Sequence, residues 1–379
     1  MTVYVDVSAA VNARAGLGRY AANIARTVAD LQPGRVGVFY NQTRGARVPA
    51  EVEHLPGHSV RAGYKPWRMA VWLAQLAGVG FNRLLPEAEC FHATEHLLLP
   101  LRDVPSVLTV HDLIFQRFPE HHRRLNHWYL NLAMPLYVRR ADAIIAISEA
   151  TRSDLVELYG TPPEKITVVY EAAAPHFGPP PSDGERDAAL EHVRARYALP
   201  DQYLVTLGTV EPRKNLSRLL RALVGLRRDH PELALVVAGV RGWLYEDFFK
   251  TIDALDLTAH VRVLGYVPDD DLAPLFWGAR AAVVPSLYEG FGLPVLEAMA
   301  CGCPVVSSDA ASLPEVGGEA ARYFDPADVE AMRTAIGEVI GDDALRDEMR
   351  AAGLEQAARF SWERAARETW AVYEKVMAG

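Results

Sequence analysis

The sequence predicts an α/β protein built as two units in tandem, and three observations carry that reading. Short runs of β-branched and apolar residues alternate with longer amphipathic segments along the whole chain. The runs are continuously apolar rather than alternating, which fits parallel strands covered by helices on both faces. A break from Ala172 to Gly184, with consecutive prolines at 179, 180 and 181, divides the chain near its middle. Such a stretch can continue neither a helix nor a central strand.

In the first unit the apolar runs predict strands over Val3–Val7, Val36–Tyr40, Ser106–Val110, Ala143–Ile147 and Ile166–Val169, with a helix over Gly18–Asp30. In the second they predict strands over Tyr203–Leu207, Leu235–Ala238, Val261–Leu264, Ala281–Val284 and Pro304–Ser307. The helices expected there are Asn215–Arg228, Leu272–Gly278 and Pro294–Ala300. Glu185–Tyr197 reads as a helix inside the connecting segment. Ser361–Met377 reads as a terminal helix capped by Ser361, with Glu363 and Arg364 in its first turn. The expected division is residues 1–177, a connecting loop and helix over 178–200, a second unit over 201–360, and the terminal helix over 361–379.

Composition removes several classes. The 379 residues are 50% apolar and 23% charged, enough for a sizeable core. No apolar run approaches the roughly 18 residues a membrane span needs, and Met69–Phe81 is short and interrupted by Gln75. The first ten residues read as a buried strand rather than a signal peptide. Three cysteines, Cys90, Cys301 and Cys303, suit a reducing, cytoplasmic setting and make neither a disulfide framework nor a zinc site. The net charge of −9 argues against nucleic acid as a partner. That total hides an asymmetry, since residues 1–175 are net positive and the remainder carries all of the excess negative charge.

The segment Pro285–Gly302 follows a predicted strand, so it stands at a carboxyl end, where open α/β sheets bind ligands. Gly290 and Gly292 allow close backbone approach. Pro294 suits the first turn of a helix, where a missing N–H costs nothing, and Gly302 suits its end. The N–H groups around Gly292 and Leu293 then point at an anion such as a diphosphate. Glu289 and Glu297 frame that site, and a carboxylate accepts hydrogen bonds from hydroxyls rather than binding phosphate. Two glutamates eight apart also arise by chance; the strand, glycine loop, proline and helix around them make the spacing a site.

A second segment, Leu204–Asn215, places Gly208 after a strand and Arg213–Lys214 just before a helix. The pair suits neutralising a diphosphate leaving group, although a surface Arg-Lys pair is ordinarily only solvated. In the first unit, Gly16 and Gly18 at a strand-to-helix junction are similar to a phosphate loop but lack the full dinucleotide fingerprint. His111 ends a strand and precedes Asp112, a place for either a structural or a functional histidine. Phe91–His96 is a further candidate lining.

These residues together resemble the family 4 retaining glycosyltransferases. Glu289–Glu297, EGFGLPVLE, looks like that family's E-x7-E signature. Gly208–Asn215, Val110–Asp112, Ile147–Glu149, the Gly16 and Gly18 segment and Phe360–Trp362 add to the likeness over nearly the whole chain. The resemblance implies the GT-B fold, two Rossmann-like domains with parallel sheets facing a central cleft. It implies a nucleotide-sugar in the second domain, an acceptor in the first, and a terminal helix crossing back to the first. By that resemblance Glu289 binds donor-sugar hydroxyls, Glu297 binds the ribose, and Gly290, Phe291, Gly292 and Leu293 present backbone to the sugar and diphosphate. Lys214 matches the phosphate-binding lysine. Thr209 stands where the family usually has an arginine, so Arg213 is the candidate substitute. Val267 falls where backbone reads the base, His111 matches a histidine near the reacting sugar, and Gly16 and Gly18 match the loop near the phosphates.

The implied reaction is retaining transfer of a hexose by same-face displacement, the departing phosphate oxygen taking the acceptor's proton. The motif Glu211–Asn215, EPRKN, looks like that of bacterial mannosyl- and hexosyltransferases of polysaccharide assembly. GDP-mannose is therefore the first expected donor and a UDP-hexose the second, with a glycan or lipid-linked acceptor. Cations and helix amides stabilise the leaving group, and no Asp-x-Asp motif is expected near the donor loop, so neither metal nor cofactor is expected. The competing readings are a phosphorylase, a sugar-nucleotide epimerase and a non-catalytic nucleotide-sugar-binding module. Finally, Arg61–Arg68 and His121–Tyr129 mix cations with aromatic residues, which suits either peripheral contact with anionic lipid at the inner face of a membrane or an ordinary solvated surface.

Overall fold

A computed structural model describes residues 2–13, 15–121 and 124–379. The chain divides into two compact units, Met1–Ala172 with Ser361–Gly379, and Ala173–Phe360. The first unit carries β1 (Thr2–Asp6), β2 (Val36–Gln42), β3 (Gly57–Arg61), β4 (Ala88–Ala93), β5 (Ser106–Val110), β6 (Ala143–Ala146) and β7 (Ile166–Val168). The second carries β8 (Tyr203–Leu207), β9 (Ala234–Ala238), β10 (Val261–Gly265), β11 (Ala281–Val284), β12 (Val305–Ser308) and β13 (Ala321–Phe324). Both units are α/β, and both sheets are parallel throughout, as the continuous apolar runs require.

The strand orders are β3-β2-β1-β4-β5-β6-β7 and β10-β9-β8-β11-β12-β13. In each sheet the chain first winds outward from one strand and then returns to its other side. The reversal falls between β1 and β4 in the first unit and between β8 and β11 in the second. A crevice forms at such a point because the two following loops leave in opposite directions.

Each sheet is buried among helices. Phe91, Leu108, Val110 and Ile144 sit in one core, and Leu204, Leu235, Val237 and Val283 in the other. Every predicted strand is present, with ends displaced by two residues at most. Three strands carried no such signal. β3 is an edge strand with glycine, histidine and serine, β4 holds Glu89 and His92, and β13 is half-buried.

The boundary between units falls five residues earlier than expected, after Ala172. Residues 178–200 are also not a free connector. Their helix, Asp183–Tyr197, packs on Asp269–Gly278 within the second unit. Arg196 lies 2.9 Å from the buried Asp271, and the Tyr197 hydroxyl donates to the same carboxylate at 2.5 Å. The terminal helix, Trp362–Ala378, is capped by the Ser361 hydroxyl and packs in the first unit against Ala15–Leu31. Its Tyr373 hydroxyl meets His92 Nδ1 at 2.6 Å. His92 Nε2 meets Thr109 at 2.7 Å, and burial pushes this imidazole down to about 3, so it is a neutral core residue.

Candidate functional site

In the second unit the loops after β8 and β11 leave the two strands at the reversal point, and polar contacts lock them together. Pro212–Lys214 forms one 3-10 turn, and Asn215 turns left-handed at φ 56° to start the helix Leu216–Leu226. The Asn215 amide then donates to the carbonyls of Pro285 and Pro326 at 2.9 and 2.8 Å. Leu287 N–H donates to the Arg213 carbonyl at 2.8 Å.

Four charges meet across these loops. Arg213 donates to Glu211 at 2.6 Å, to Glu289 at 2.6 Å and to the Tyr288 carbonyl at 2.9 Å. Lys214 Nζ donates to Glu289 Oε1 at 2.6 Å, and Ser286 donates to the same oxygen at 2.6 Å. Burial alone would raise the Glu289 acid. Arg213 and Lys214 overcome that, with help from the Lys214 and Ser286 hydrogen bonds, and pull it to about 2. Two cations against two carboxylates leave the cluster neutral. An ionised carboxylate has about four acceptor positions, of which Glu289 uses three here, while an ammonium has three donors, of which Lys214 uses one. Glu289 can therefore still accept one hydroxyl hydrogen bond and Lys214 can donate two.

Backbone completes the site. Gly208 adopts φ +140°, and a Cβ there would stand 3.2 Å from Lys214 Cε, so the glycine leaves room for the lysine to lie across it. Gly292 adopts φ +113° and begins the helix Leu293–Ala300, which has Pro294 in its first turn and no side-chain cap. Ser312 Oγ lies 2.9 Å from the Glu289 carbonyl and 2.6 Å from that of Phe291, holding the loop from beneath. Phe291 is buried against Phe360. Gly290 precedes it in the loop, and Glu297 is buried a little over one turn inside the helix. Val267 is buried in the loop after β10.

The first unit gathers different chemistry. His111 follows β5, with Nε2 2.8 Å from the Thr94 carbonyl and Nδ1 3.2 Å from the buried Glu171 carboxylate. Burial lowers its pKa, but the Glu171 hydrogen bond and charge, the Thr94 carbonyl and Asp112 outweigh that and leave it raised. Both ring nitrogens face acceptors, an arrangement that favours the doubly protonated ring. The nearby His96 is pushed by burial to about 4.

Several expectations take a different form. Gly16 and Gly18 lie inside the helix Ala15–Leu31, not in a loop. A Cβ on Gly18 would stand 3.0 Å from the Ala9 carbonyl oxygen, so this glycine lets that helix close on Ser8–Val11. Gly16 is exposed with open space around it. Arg213 turns its guanidinium toward protein acceptors. An Asp-x-Asp spacing does stand in this unit, in Asp269-Asp270-Asp271 after Val267, but Asp271 is committed to Arg196 and Tyr197. Among the described residues no three His, Cys, Asp or Glu side chains are placed to hold a metal ion.

Glu211, Ser286, Asn215, Ser312 and Glu171 were not singled out as functional from sequence. The first four lie two to eight residues past the ends of β8, β11 and β12, the one signal that could have drawn attention to them.

Comparisons with known proteins give the family and the fold. A family model described as "Glycosyl transferases group 1" matches residues 191–356, and one described as "Glycosyltransferase Family 4" matches residues 14–175. The chain is 37% identical over 278 residues to the O-antigen chain mannosyltransferase B of Escherichia coli, covering 73% of this chain and 72% of that protein. It is 32% identical to the serotype-specific mannosyltransferase WbdA of Escherichia coli over 70% of this chain, but that match spans only 33% of the relative. Among solved structures, sucrose-phosphate synthase from Thermosynechococcus elongatus superposes with a TM-score of 0.79 at 18% identity, covering all of both chains. Anabaena HepE in complex with UDP and glucose superposes with a TM-score of 0.72 at 19% identity, covering 99% of each.

Proposed function

The chain belongs to the family 4 glycosyltransferases, and on that premise we propose that it moves mannose, from GDP-mannose, to a glycan or lipid-linked acceptor with retention at the anomeric carbon. A UDP-hexose is the second donor to test. The mannose assignment is supported by the mannosyltransferase relatives and the EPRKN motif. The single observation that carries the reading is the neutral Glu211–Arg213–Glu289–Lys214 cluster at the sheet reversal beside an uncapped helix start.

In this reading the donor diphosphate meets the two remaining Lys214 donors and the amides at Gly292 and Leu293. Developing negative charge on the leaving group is met by groups already in place, so little reorganisation is required. Gly208 gives the lysine its path, and Gly290 and Phe291 supply backbone beside the sugar. Glu289 takes one sugar hydroxyl with its open acceptor position, Glu297 takes the ribose, and backbone at Val267 reads the base. Arg213, braced by Glu211, holds Glu289 rather than touching phosphate. Glu289 is too well paired to serve as a nucleophile, which suits same-face displacement with proton transfer to the departing phosphate oxygen. His111 enters as a fixed cation, not a base. The acceptor belongs to the first unit.

No metal enters this account, so chelation leaves turnover unchanged. The test is incubation with a panel of nucleotide-sugars and a mannan-type acceptor, following nucleoside diphosphate release and the anomeric configuration of the product by NMR. Release from GDP-mannose with an α-linked product is expected. Donor consumption without transfer, or an inverted product, overturns the proposal.

A further inference from the structure

Two helices of the first unit, Tyr64–Ala77 and Arg124–Arg140, leave apolar side chains uncovered in a pattern that chance exposure does not produce. On the first, Met69, Leu73 and Leu76 recur at spacings of four and three, and on the second, Leu125, Trp128 and Leu132 recur at three and four. Those spacings put each trio on one side of its helix. All six are exposed, Leu125 at 83% and Trp128, Leu73 and Leu76 at 54%. The helices adjoin through Trp72 and Trp128, whose ring centroids lie 6.2 Å apart, and through Arg68, which donates to Asn126 at 3.2 Å. Residues 122 and 123, in the basic stretch leading into the second helix, lie outside the described ones.

Charge selects the occupant. The two helices carry Lys65, Arg68, Arg124, Arg139 and Arg140 and not one carboxylate, in a chain where Asp and Glu outnumber Lys and Arg by 48 to 39. A second copy meeting this face about a two-fold axis would set the same cations against each other. An anionic bilayer instead offers headgroup phosphates to the cations and acyl chains to the leucines, with Trp128 at the boundary aromatic residues favour. We propose that this two-helix face docks the protein on an anionic lipid surface. The inference does not rest on the transferase reading.

The test is co-sedimentation of the full chain with phosphatidylcholine vesicles made with and without phosphatidylglycerol. Binding to the anionic vesicles that weakens with salt is expected. The double variant Leu73→Asp/Leu132→Asp should lower that partition at least about tenfold, without changing the melting temperature or transfer to a soluble acceptor. Brominated lipid should quench wild-type tryptophan fluorescence, and Trp128→Phe should remove much of that quenching, a readout independent of how the double variant folds. Wild-type protein that ignores anionic vesicles overturns the proposal. So does a double variant that binds as well as wild type, or a concentration-dependent dimer that the same substitutions dissolve without any vesicle binding.

Discussion

Two sheets of the same topology reverse direction at the same kind of place, yet their strand ends hold opposite chemistry. In the second unit, the loops after β8 and β11 bring Lys214 out with two donors unused. In the first unit, the corresponding residue after β5 is His111, and both of its ring nitrogens are already engaged, by Glu171 and by the Thr94 carbonyl. What separates them is therefore not the presence of positive charge but whether any hydrogen-bonding capacity remains. A parallel sheet supplies the crevice; the count of open donors decides whether an anion can use it.

The largest effect expected is from removing the open donors. Lys214→Ala turns the neutral cluster into one of net charge −1 and takes away the two lysine donors proposed to meet the diphosphate. At roughly 1.5–3 kcal/mol per charged hydrogen bond, turnover should fall by about 100-fold or more. Glu289→Gln keeps the shape but loses the anion that orients Lys214, and a loss of about 10- to 100-fold is expected. Steady-state kinetics beside a thermal melt checks both. Full turnover in the folded Lys214→Ala variant would remove the second unit's claim to be the anion site.

The pH dependence sharpens the contrast because the two units have opposite signs. Glu289 has a folded-state pKa below its unfolded value. Its contribution is present above pH 4.5 and is lost as pH falls toward about 2. His111 has a raised pKa, so its contribution is complete below pH 6.5 and is lost as pH rises through the folded value. Glu171→Gln removes the partner that opposes burial at His111. That variant should lose the alkaline decline and be less stable by about 1–3 kcal/mol at pH 6. Denaturant melts across the pH range measure both flanks, and an unaltered alkaline limb in Glu171→Gln would show that the pair is not what sets it.

A smaller effect separates bracing from binding. Arg213 splits its guanidinium between Glu211 and Glu289, so Glu211→Gln should loosen Glu289 without touching the substrate. Turnover should fall by about tenfold, one charged hydrogen bond's worth, while the affinity for free nucleoside diphosphate stays near that of wild type. A matching loss of diphosphate affinity would return Arg213 to the phosphates.

How much of this could be read in advance follows from range along the chain. Continuous apolar runs made both parallel sheets legible because their burial is a local property of the sequence. The EGFGLPVLE and EPRKN segments were legible for the same reason, each being one strand end and the turn after it. β4 was not, because Glu89 and His92 break its apolar run, and what makes His92 a core residue is Tyr373, 281 positions away. His111 showed its place but not its state. That state depends on Glu171, which stands at the opening of the proline-rich break, where sequence alone suggests only a loop. Arg213 reads from sequence as a phosphate ligand, and its contacts to Glu211 and Glu289 were not legible there, because they depend on how two loops 76 residues apart meet.

The smallest predicted effect tests the part of the pattern that changed most on folding. Gly16 belongs, by family likeness, to a loop near the phosphates, but it lies in the first turn of the helix Ala15–Leu31 with no atom within 4 Å of where a Cβ would stand. Alanine costs a helix up to about 1 kcal/mol less than glycine, and here the new methyl group meets nothing. Gly16→Ala should therefore be neutral or stabilising by about 0.5 kcal/mol, with turnover within about twofold of wild type. Gly18→Ala is its control, since there the Cβ would press within 3.0 Å of the Ala9 carbonyl oxygen and force the two helices apart. A Gly16→Ala variant that melts normally but no longer turns over would mean that a substrate comes close enough to that turn to need the bare backbone, and the first unit would then have an anion contact of its own.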